Sequence, residues 1–290
     1  MCTASGRGYR FTERRGVVLT PKSAELLLSR EGVFRVPVDF GTRYVEALSS
    51  GEEATLAVGS VAVSLRRELL ERTLKAEKLL FVSPQEAYFL EVRANRYYKL
   101  KYLGEGVAPT VEIDGIHMHN IVGTDPLSDA RRKVALIGVR EGQRVLDVCT
   151  GLGYTAIASA SRGAEVTSIE LDVNVLWLAE HNPFSRGLSR VEILLGNAYD
   201  VLDGLEDRSF DAVVHDPPTF AFAGELYGLD FYGKLYRVMK PGARLFHYTG
   251  APGKHRGVDV QKGVAARLRA AGFRVERVIK EYGIVAAKPP

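Results

Sequence analysis

The stretch Val145-Leu-Asp-Val-Cys-Thr-Gly-Leu-Gly-Tyr-Thr-Ala-Ile157 decides the fold. Its first residues, led by Arg144, form a short β-branched run ending near an acid, the pattern of a strand buried on both faces. Gly151 and Gly153 follow at once. Glycine lets the chain turn sharply and lets backbone approach a ligand with no Cβ in the way. The spacing then predicts a helix from about Tyr154 to Ser161, whose free N–H groups point into the same crevice. Asp147, Thr150, Gly151, Gly153 and Tyr154 are therefore candidate ligand contacts.

Downstream, the same rhythm repeats. Apolar runs at Glu165–Glu170, Val191–Leu195, Ala212–His215 and Arg244–Tyr248 read as parallel strands, separated by helical stretches such as Asn174–Asn182. This βαβ alternation predicts a doubly wound, Rossmann-like α/β sheet. At the end, Arg274–Lys280 and Gly283–Ala287 read as an antiparallel hairpin joined by a tight turn. Seven strands are thus expected over residues 111–290.

The first 110 residues read differently. Helical periodicity covers Pro21–Arg30, with proline at the tolerated first position, and Arg66–Lys78. Strand-like runs occupy Phe34–Val38, Ala54–Val58, Ala87–Val92 and Tyr97–Leu103. The expectation is a small α+β domain over 1–110, with Gly104–Pro109 as a linker. Of 39 Lys+Arg and 35 acids, residues 1–110 hold 17 and 13, so the whole basic excess lies there. The stretch Arg93-Ala-Asn-Arg-Tyr-Tyr-Lys-Leu-Lys-Tyr102 alternates cations and rings. That suits RNA, and equally an amphipathic strand with a solvated face.

Composition excludes several classes. A chain of 290 residues with 46% hydrophobic and 26% charged content is globular, not disordered. No apolar run reaches the roughly 18 residues needed to span a bilayer, and no signal-peptide core opens the chain, so a cytoplasmic protein without a membrane partner is expected. Two cysteines, Cys2 and Cys149, predict no disulfide and no four-cysteine zinc site. His117-Met-His119 has no further ligand in its neighbourhood, and no metal is expected. Three Gln and five Asn beside abundant Arg and Glu point to a thermophile.

Gly151-Leu-Gly-Tyr-Thr-Ala156 also matches a dinucleotide fingerprint. Asp147, however, would set a carboxylate beside a pyrophosphate, whereas a methionine moiety brings an ammonium and a sulfonium. Glu170, with Leu171 beside it, ends the second strand and can accept from both ribose hydroxyls. These features point to S-adenosyl-L-methionine. Gly196-Asn197-Ala198, after the third strand, resembles the Gly-Asp-Ala in which methyltransferases hold the adenine, with Asn in place of Asp. Gly123-Thr-Asp-Pro126 resembles the segment covering the methionine end, which makes Asp125 a candidate for the ammonium.

The fourth strand leads into His215-Asp-Pro-Pro-Thr-Phe220. Methyltransferases acting on exocyclic amines carry an (Asp/Asn)-Pro-Pro-aromatic motif here, in which the acid and the next carbonyl accept the amine's hydrogens. This chain has the aromatic residue one position later and is similar to the Asp-Pro-Pro-x-Phe version of some ribosomal RNA methyltransferases. Asp216, Pro217 and Phe220 are the implied catalytic and stacking residues, and Asp216 also borders the cofactor. His215 and His247 are candidate proton acceptors, or else buried histidines. Lys254 and Arg256, in the loop Thr249–Gly257, are candidate phosphate contacts. No cysteine follows Cys149, which excludes carbon-5 chemistry through a cysteine adduct.

Taken together, residues 117–283 resemble an uncharacterised archaeal family of class I methyltransferases. That resemblance implies a mostly parallel seven-stranded sheet with a terminal antiparallel hairpin, S-adenosyl-L-methionine as cofactor, and methyl transfer as the reaction. The expected function is methylation of an RNA nitrogen, in tRNA or rRNA. The alternative is a small-molecule methyl- or aminopropyltransferase acting on an amine, with Asp216 and Glu225 holding it.

Overall fold

The computed structural model describes residues 6–220, 222–250 and 260–290. Two compact units emerge, one made of residues 1–11, 120–176 and 187–290, the other of 12–119 and 177–186.

The larger unit contains β1 (Arg7–Tyr9), α1 (Pro126–Ile137), β2 (Arg144–Val148), α2 (Tyr154–Ala160) and β3 (Glu165–Glu170). Next come α3 (Val173–Glu180), whose last turn belongs to the other unit, β4 (Glu192–Leu195), α4 (Ala198–Val201) and β5 (Phe210–His215). The chain ends with α5 (Leu229–Val238), β6 (Met239–Tyr248), α6 (Val260–Ala270), β7 (Arg274–Ile279) and β8 (Gly283–Ala287). The sheet order is β1-β4-β3-β2-β5-β6-β8-β7. Strands β2 to β6 run parallel, and β8 pairs antiparallel with both β6 and β7. All seven expected strands are present. An eighth, β1, adds antiparallel to β4 and covers an otherwise open edge.

The order reverses beside β2, where helices leave for opposite faces of the sheet. That switch point is where open α/β sheets bind ligands, outside the carboxyl ends of the strands. Leu146, Val148, Ile169, Val213, Leu245 and Ile284 share one core with Phe231, Tyr232 and Leu268 from the covering helices. The strands read as unbroken apolar runs because both faces are covered.

The smaller unit has three antiparallel sheets. Gly32–Val38, Arg43–Ser49, Glu53–Val58 and Val61–Arg66 form a meander, packed on helices Pro21–Ser29 and Arg67–Lys75 through Val36, Leu56, Leu27 and Leu70. Val17–Leu19, Leu80–Val82 and Ala87–Phe89 make a second sheet. The third joins Glu91–Arg93, Tyr97–Lys101, Thr110–Ile113 and Ile116–His117. Residues 104–109 do not separate two bodies. The Gly106 amide donates to Phe40 O at 2.6 Å, and Thr110–Ile113 pairs with Tyr97–Lys101, so this unit continues to His119.

Among the described residues, no helix is long and apolar enough to cross a membrane. Cys149 carries a free thiol, and Cys2 lies outside the described residues.

Candidate active site

The carboxyl edge of the sheet gathers most of the residues singled out in the sequence. After β2 the backbone passes through left-handed conformations at Cys149 (φ 73°), Gly151 (φ 55°) and Gly153 (φ 80°). Alternation of this kind turns successive N–H groups toward one side, a nest for oxygen ligands. Gly153 is also a packing requirement, because a Cβ there would stand 2.5 Å from Leu188 Cγ. Cys149 occupies a position that suits glycine, which the sequence alone did not reveal.

Glu170, at the end of β3, ties this loop down. Its Oε2 accepts from the Gly151 amide at 2.8 Å and its Oε1 from the Asp172 amide at 2.9 Å. Burial raises its pKa against those amides. Asp147 is fully buried. Ser168 Oγ donates to its Oδ2 at 2.7 Å and in turn meets Thr150 Oγ1 at 2.6 Å, while among the described residues Oδ1 has no hydrogen-bond partner. Desolvation pushes the Asp147 carboxyl up to about 7. A buried carboxylate oxygen with no donor is an energetic cost that a ligand's donor or cation would remove.

S-adenosyl-L-methionine fits this edge. Glu170 would accept from its ribose hydroxyls, the glycine loop and Asp147 would border its methionine end, and Leu171, 66% exposed, offers adenine an apolar face. Tyr154 and Ala198 are buried under the same edge. Two of the candidate contacts are also helix caps. Asn197 caps α4 through Oδ1, which accepts from the Tyr199 amide at 2.9 Å, and its Nδ2 donates to Glu225 at 3.0 Å. One lone pair of its amide oxygen is thus taken, as on each Glu170 oxygen, and the other remains for a ligand donor. Asp125 caps α1, its Oδ1 accepting from Leu127 and Ser128 amides at 3.0 and 2.9 Å. Only its other oxygen remains for an ammonium.

Asp216 follows β5, and its amide donates to Val148 O at 3.2 Å, holding the turn against β2. Its Oδ2 accepts from Lys133 Nζ at 2.7 Å. Lys133, buried in α1, also meets Asp129 Oδ2 at 2.8 Å and lies 4.2 Å from the Tyr248 ring centroid. Asn120 Nδ2 donates to the other Asp129 oxygen at 3.1 Å. Sequence reading missed this group, although a signal existed. Ala130, Lys133, Val134 and Ile137 fall at i, i+3, i+4 and i+7, so Lys133 stands in the apolar stripe of its helix.

The turn continues through Pro217, Pro218 and Thr219 to Phe220, which is half exposed. Tyr227 meets the Phe220 ring edge-on at 5.5 Å and donates its hydroxyl to Pro218 O at 2.8 Å. His215 and His247 are neighbours on β5 and β6, with ring centroids 4.3 Å apart, and both are wholly buried. His215 Nε2 meets Leu226 O at 3.0 Å and His247 Nε2 meets Tyr232 Oη at 3.0 Å. Burial lowers His215 to about 4 and holds His247 well below its ordinary value. Both are thus buried histidines held in the neutral form.

Elsewhere, the basic stretch proves to be an amphipathic strand. Tyr98 and Leu100 are buried, while Arg96 pairs with Asp114, Lys99 with Glu112 and Lys101 with Glu77, at 3.1, 2.8 and 3.5 Å. His117 meets Glu112 and His119 meets Thr110, so the two imidazoles do not converge. Lys254 and Arg256 lie outside the described residues.

A family model described as a methyltransferase domain matches residues 145–242. The chain is 47% identical over 227 residues to an uncharacterized protein of Methanocaldococcus jannaschii, covering 77% of this chain and 78% of that one. A putative ribosomal RNA large subunit methyltransferase of the same organism is 41% identical over 87 residues, 29% of this chain and 23% of its own length. Among solved structures, a spermidine synthase in complex with the transition-state analogue AdoDATO has a TM-score of 0.54 at 16% identity, covering 71% of this chain and 78% of that one. At that identity the likeness concerns the fold alone. The matched residues are those that build the glycine loop, the Glu170 contact and the Asp216 turn, and by them the chain belongs to the class I S-adenosylmethionine-dependent methyltransferases, with S-adenosylmethionine as its cofactor.

Proposed function

We propose that this methyltransferase modifies a nitrogen of RNA, in tRNA or rRNA, without a cysteine adduct. The turn from Asp216 to Phe220 carries the reading. A half-exposed aromatic ring stands four residues from a half-buried carboxylate, with Tyr227 packed edge-on against it. A ring so placed suits a nucleobase, and base–aromatic stacking contributes about 1–3 kcal/mol. Asp216 and the Pro217 carbonyl would accept the amino hydrogens of the base, leaving its lone pair directed toward the methyl group. S-adenosylmethionine supplies an electrophilic methyl group when bound.

Cys149 supports a reaction without a thiol nucleophile. Burial and the nearby Glu170, Asp216 and Asp147 carboxylates raise its pKa well above the ordinary thiol value, so it stays protonated. The ribosomal RNA methyltransferase relative adds support for the acceptor class. The paired charges of Arg96, Lys99 and Lys101 lend the basic stretch no separate weight.

The test uses the full chain, isotopically labelled S-adenosylmethionine and total RNA from a strain lacking the gene. Label is expected in an N-methylated nucleoside after nuclease digestion. Unlabelled RNA, with turnover of small amines instead, would replace this reading by the small-molecule one. Label in a carbon-5 methyl group would refute the chemistry.

A further inference from the structure

A lysine wholly buried on the sheet-facing stripe of a helix needs a reason. Desolvating an ammonium costs several kcal/mol, and a buried ion pair often adds less stability than well-packed apolar residues of the same volume. Leucine or methionine would complete the stripe of Ala130, Val134 and Ile137 at no such cost. Lys133 instead bridges Asp129 and Asp216 at 2.8 and 2.7 Å, beneath the Tyr248 ring. It is spent on one oxygen of Asp216. Among the described residues nothing donates to the other, and the Asp216 side chain is 17% exposed.

The geometry points to Lys133 as a positioning residue: by gripping Oδ2 it holds the Asp216 carboxyl turned so that Oδ1 is left to accept from the acceptor's amino group. This rests on the reading of Asp216 as the acceptor's hydrogen-bond partner. One feature of the triad fits the role. Asp129 is itself fixed, by Asn120 at 3.1 Å, so Lys133 has a rigid second anchor.

The groups around Asp216 that bear on its charge are Lys133 and Asp129 from α1, Asp147 and Cys149 at the end of β2, Tyr227 after the turn, Tyr248 from β6 and Tyr282 before β8. Burial raises the Asp216 pKa, and Lys133 is the named influence that opposes it by charge and by hydrogen bond. Removing that cation therefore moves Asp216 toward the protonated form.

The experiment compares wild type with Lys133→Met and Lys133→Arg by titrating carboxyl-labelled aspartates in carbon NMR, with Asp216→Asn assigning the resonance. In Lys133→Met the Asp216 titration is expected to rise by about 1–3 pH units, the usual effect of an adjacent opposite charge; in Lys133→Arg it should stay near wild type. With RNA as acceptor, kcat of Lys133→Met should fall by about 100-fold, as for a misplaced group. The acid limb of its profile should shift upward with the titration, and S-adenosylhomocysteine affinity and KM for RNA should be unchanged. Should Lys133→Met fail to fold, Lys133→Met/Asp129→Asn removes one orphaned carboxylate and gives the same readout. An unmoved titration overturns the inference, and so does a shifted titration with kcat intact. If wild type labels no RNA, the RNA reading fails, and the titration alone decides whether Lys133 holds Asp216.

Discussion

Replacing Gly153 by alanine probes the glycine loop on two counts that can be separated. The residue sits at φ 80°, where an L side chain pays about 1–2 kcal/mol against the following carbonyl. Its Cβ would also fall 2.5 Å from Leu188 Cγ and Cδ2 and 2.6 Å from Cδ1, in a wholly buried side chain with little room to yield. Overpacking of that sort costs about 1–3 kcal/mol. Gly153→Ala should therefore lose about 2–5 kcal/mol. Gly142, at φ 74° with nothing within 4 Å of an added Cβ, isolates the backbone contribution, so Gly142→Ala should lose only about 1–2 kcal/mol. Urea unfolding followed by circular dichroism gives both numbers. Adding Leu188→Ala supplies a check, because it removes the clash, and the double variant should cost less than the sum of the singles by about 1–3 kcal/mol. S-adenosylhomocysteine binding should weaken in Gly153→Ala alone. The Gly153 amide donates to Thr150 O at 2.7 Å, so a shift there moves the Gly151 amide on Glu170. A Gly153→Ala protein no less stable than Gly142→Ala would refute the idea that Leu188 dictates the glycine.

Glu170→Gln should weaken S-adenosylhomocysteine binding by about 10- to 100-fold in calorimetry, the loss of one charge-assisted bond of about 1.5–3 kcal/mol; unchanged affinity would remove Glu170 from the cofactor contacts. Cys149→Gly should be at least as stable as Cys149→Ala despite losing more atoms, since glycine alone sheds the strain of φ 73°; thermal melts of the pair decide. His215 titrates near 4 when folded and near 6.5 when unfolded, so the unfolded chain binds more protons between those values and stability is lost as pH falls through that window. From pH 7 to pH 5 wild type should lose about 2 kcal/mol more than His215→Phe, read from urea midpoints; parallel losses would contradict the buried neutral state. Asp147 acts in the opposite sense. Its folded pKa of about 7 lies above the unfolded 3.8, so its contribution is present at low pH and lost as pH rises through 7. A cationic cofactor should prefer the ionised form and bind more weakly at pH 6 than at pH 8.

The larger unit was legible because its strands are buried on both faces. Arg144–Val148, Glu165–Glu170 and Gly283–Ala287 are apolar runs bounded by turns, and their limits in space are those read from the chain. The smaller unit resisted for the opposite reason. Arg43–Ser49 and Val61–Arg66 each expose one face and carry charges there, so neither stands out as an apolar run. Ala87–Val92 reads as one strand but divides at Leu90, whose amide turns aside to Leu79 O while the flanking residues join different sheets. Pairings such as Arg7–Tyr9 with β4, and the packing of residues 177–186 in the smaller unit, join segments too distant for any local pattern to record.

At the site, residue types were legible and partners were not. Asp147, Glu170 and Asp216 follow from position at strand ends, yet Lys133, which determines the state of Asp216, lies on a helix more than eighty residues earlier. Asn197 and Asp125 show the converse. Each reads in sequence as a cofactor contact and is in the fold an N-cap, whose oxygen accepts from the amides of its own helix. Burial raises all three strand-end carboxylates, and the buried Lys133 ammonium, paired with Asp129 and Asp216, opposes that rise at Asp216 and, by charge, at Asp147. Among the described residues, Asp147 Oδ1 has no hydrogen-bond partner. One lysine among Asp129, Asp147, Glu170 and Asp216 leaves carboxyl groups in excess at this edge, and a cationic ligand bound there would favour their ionised forms.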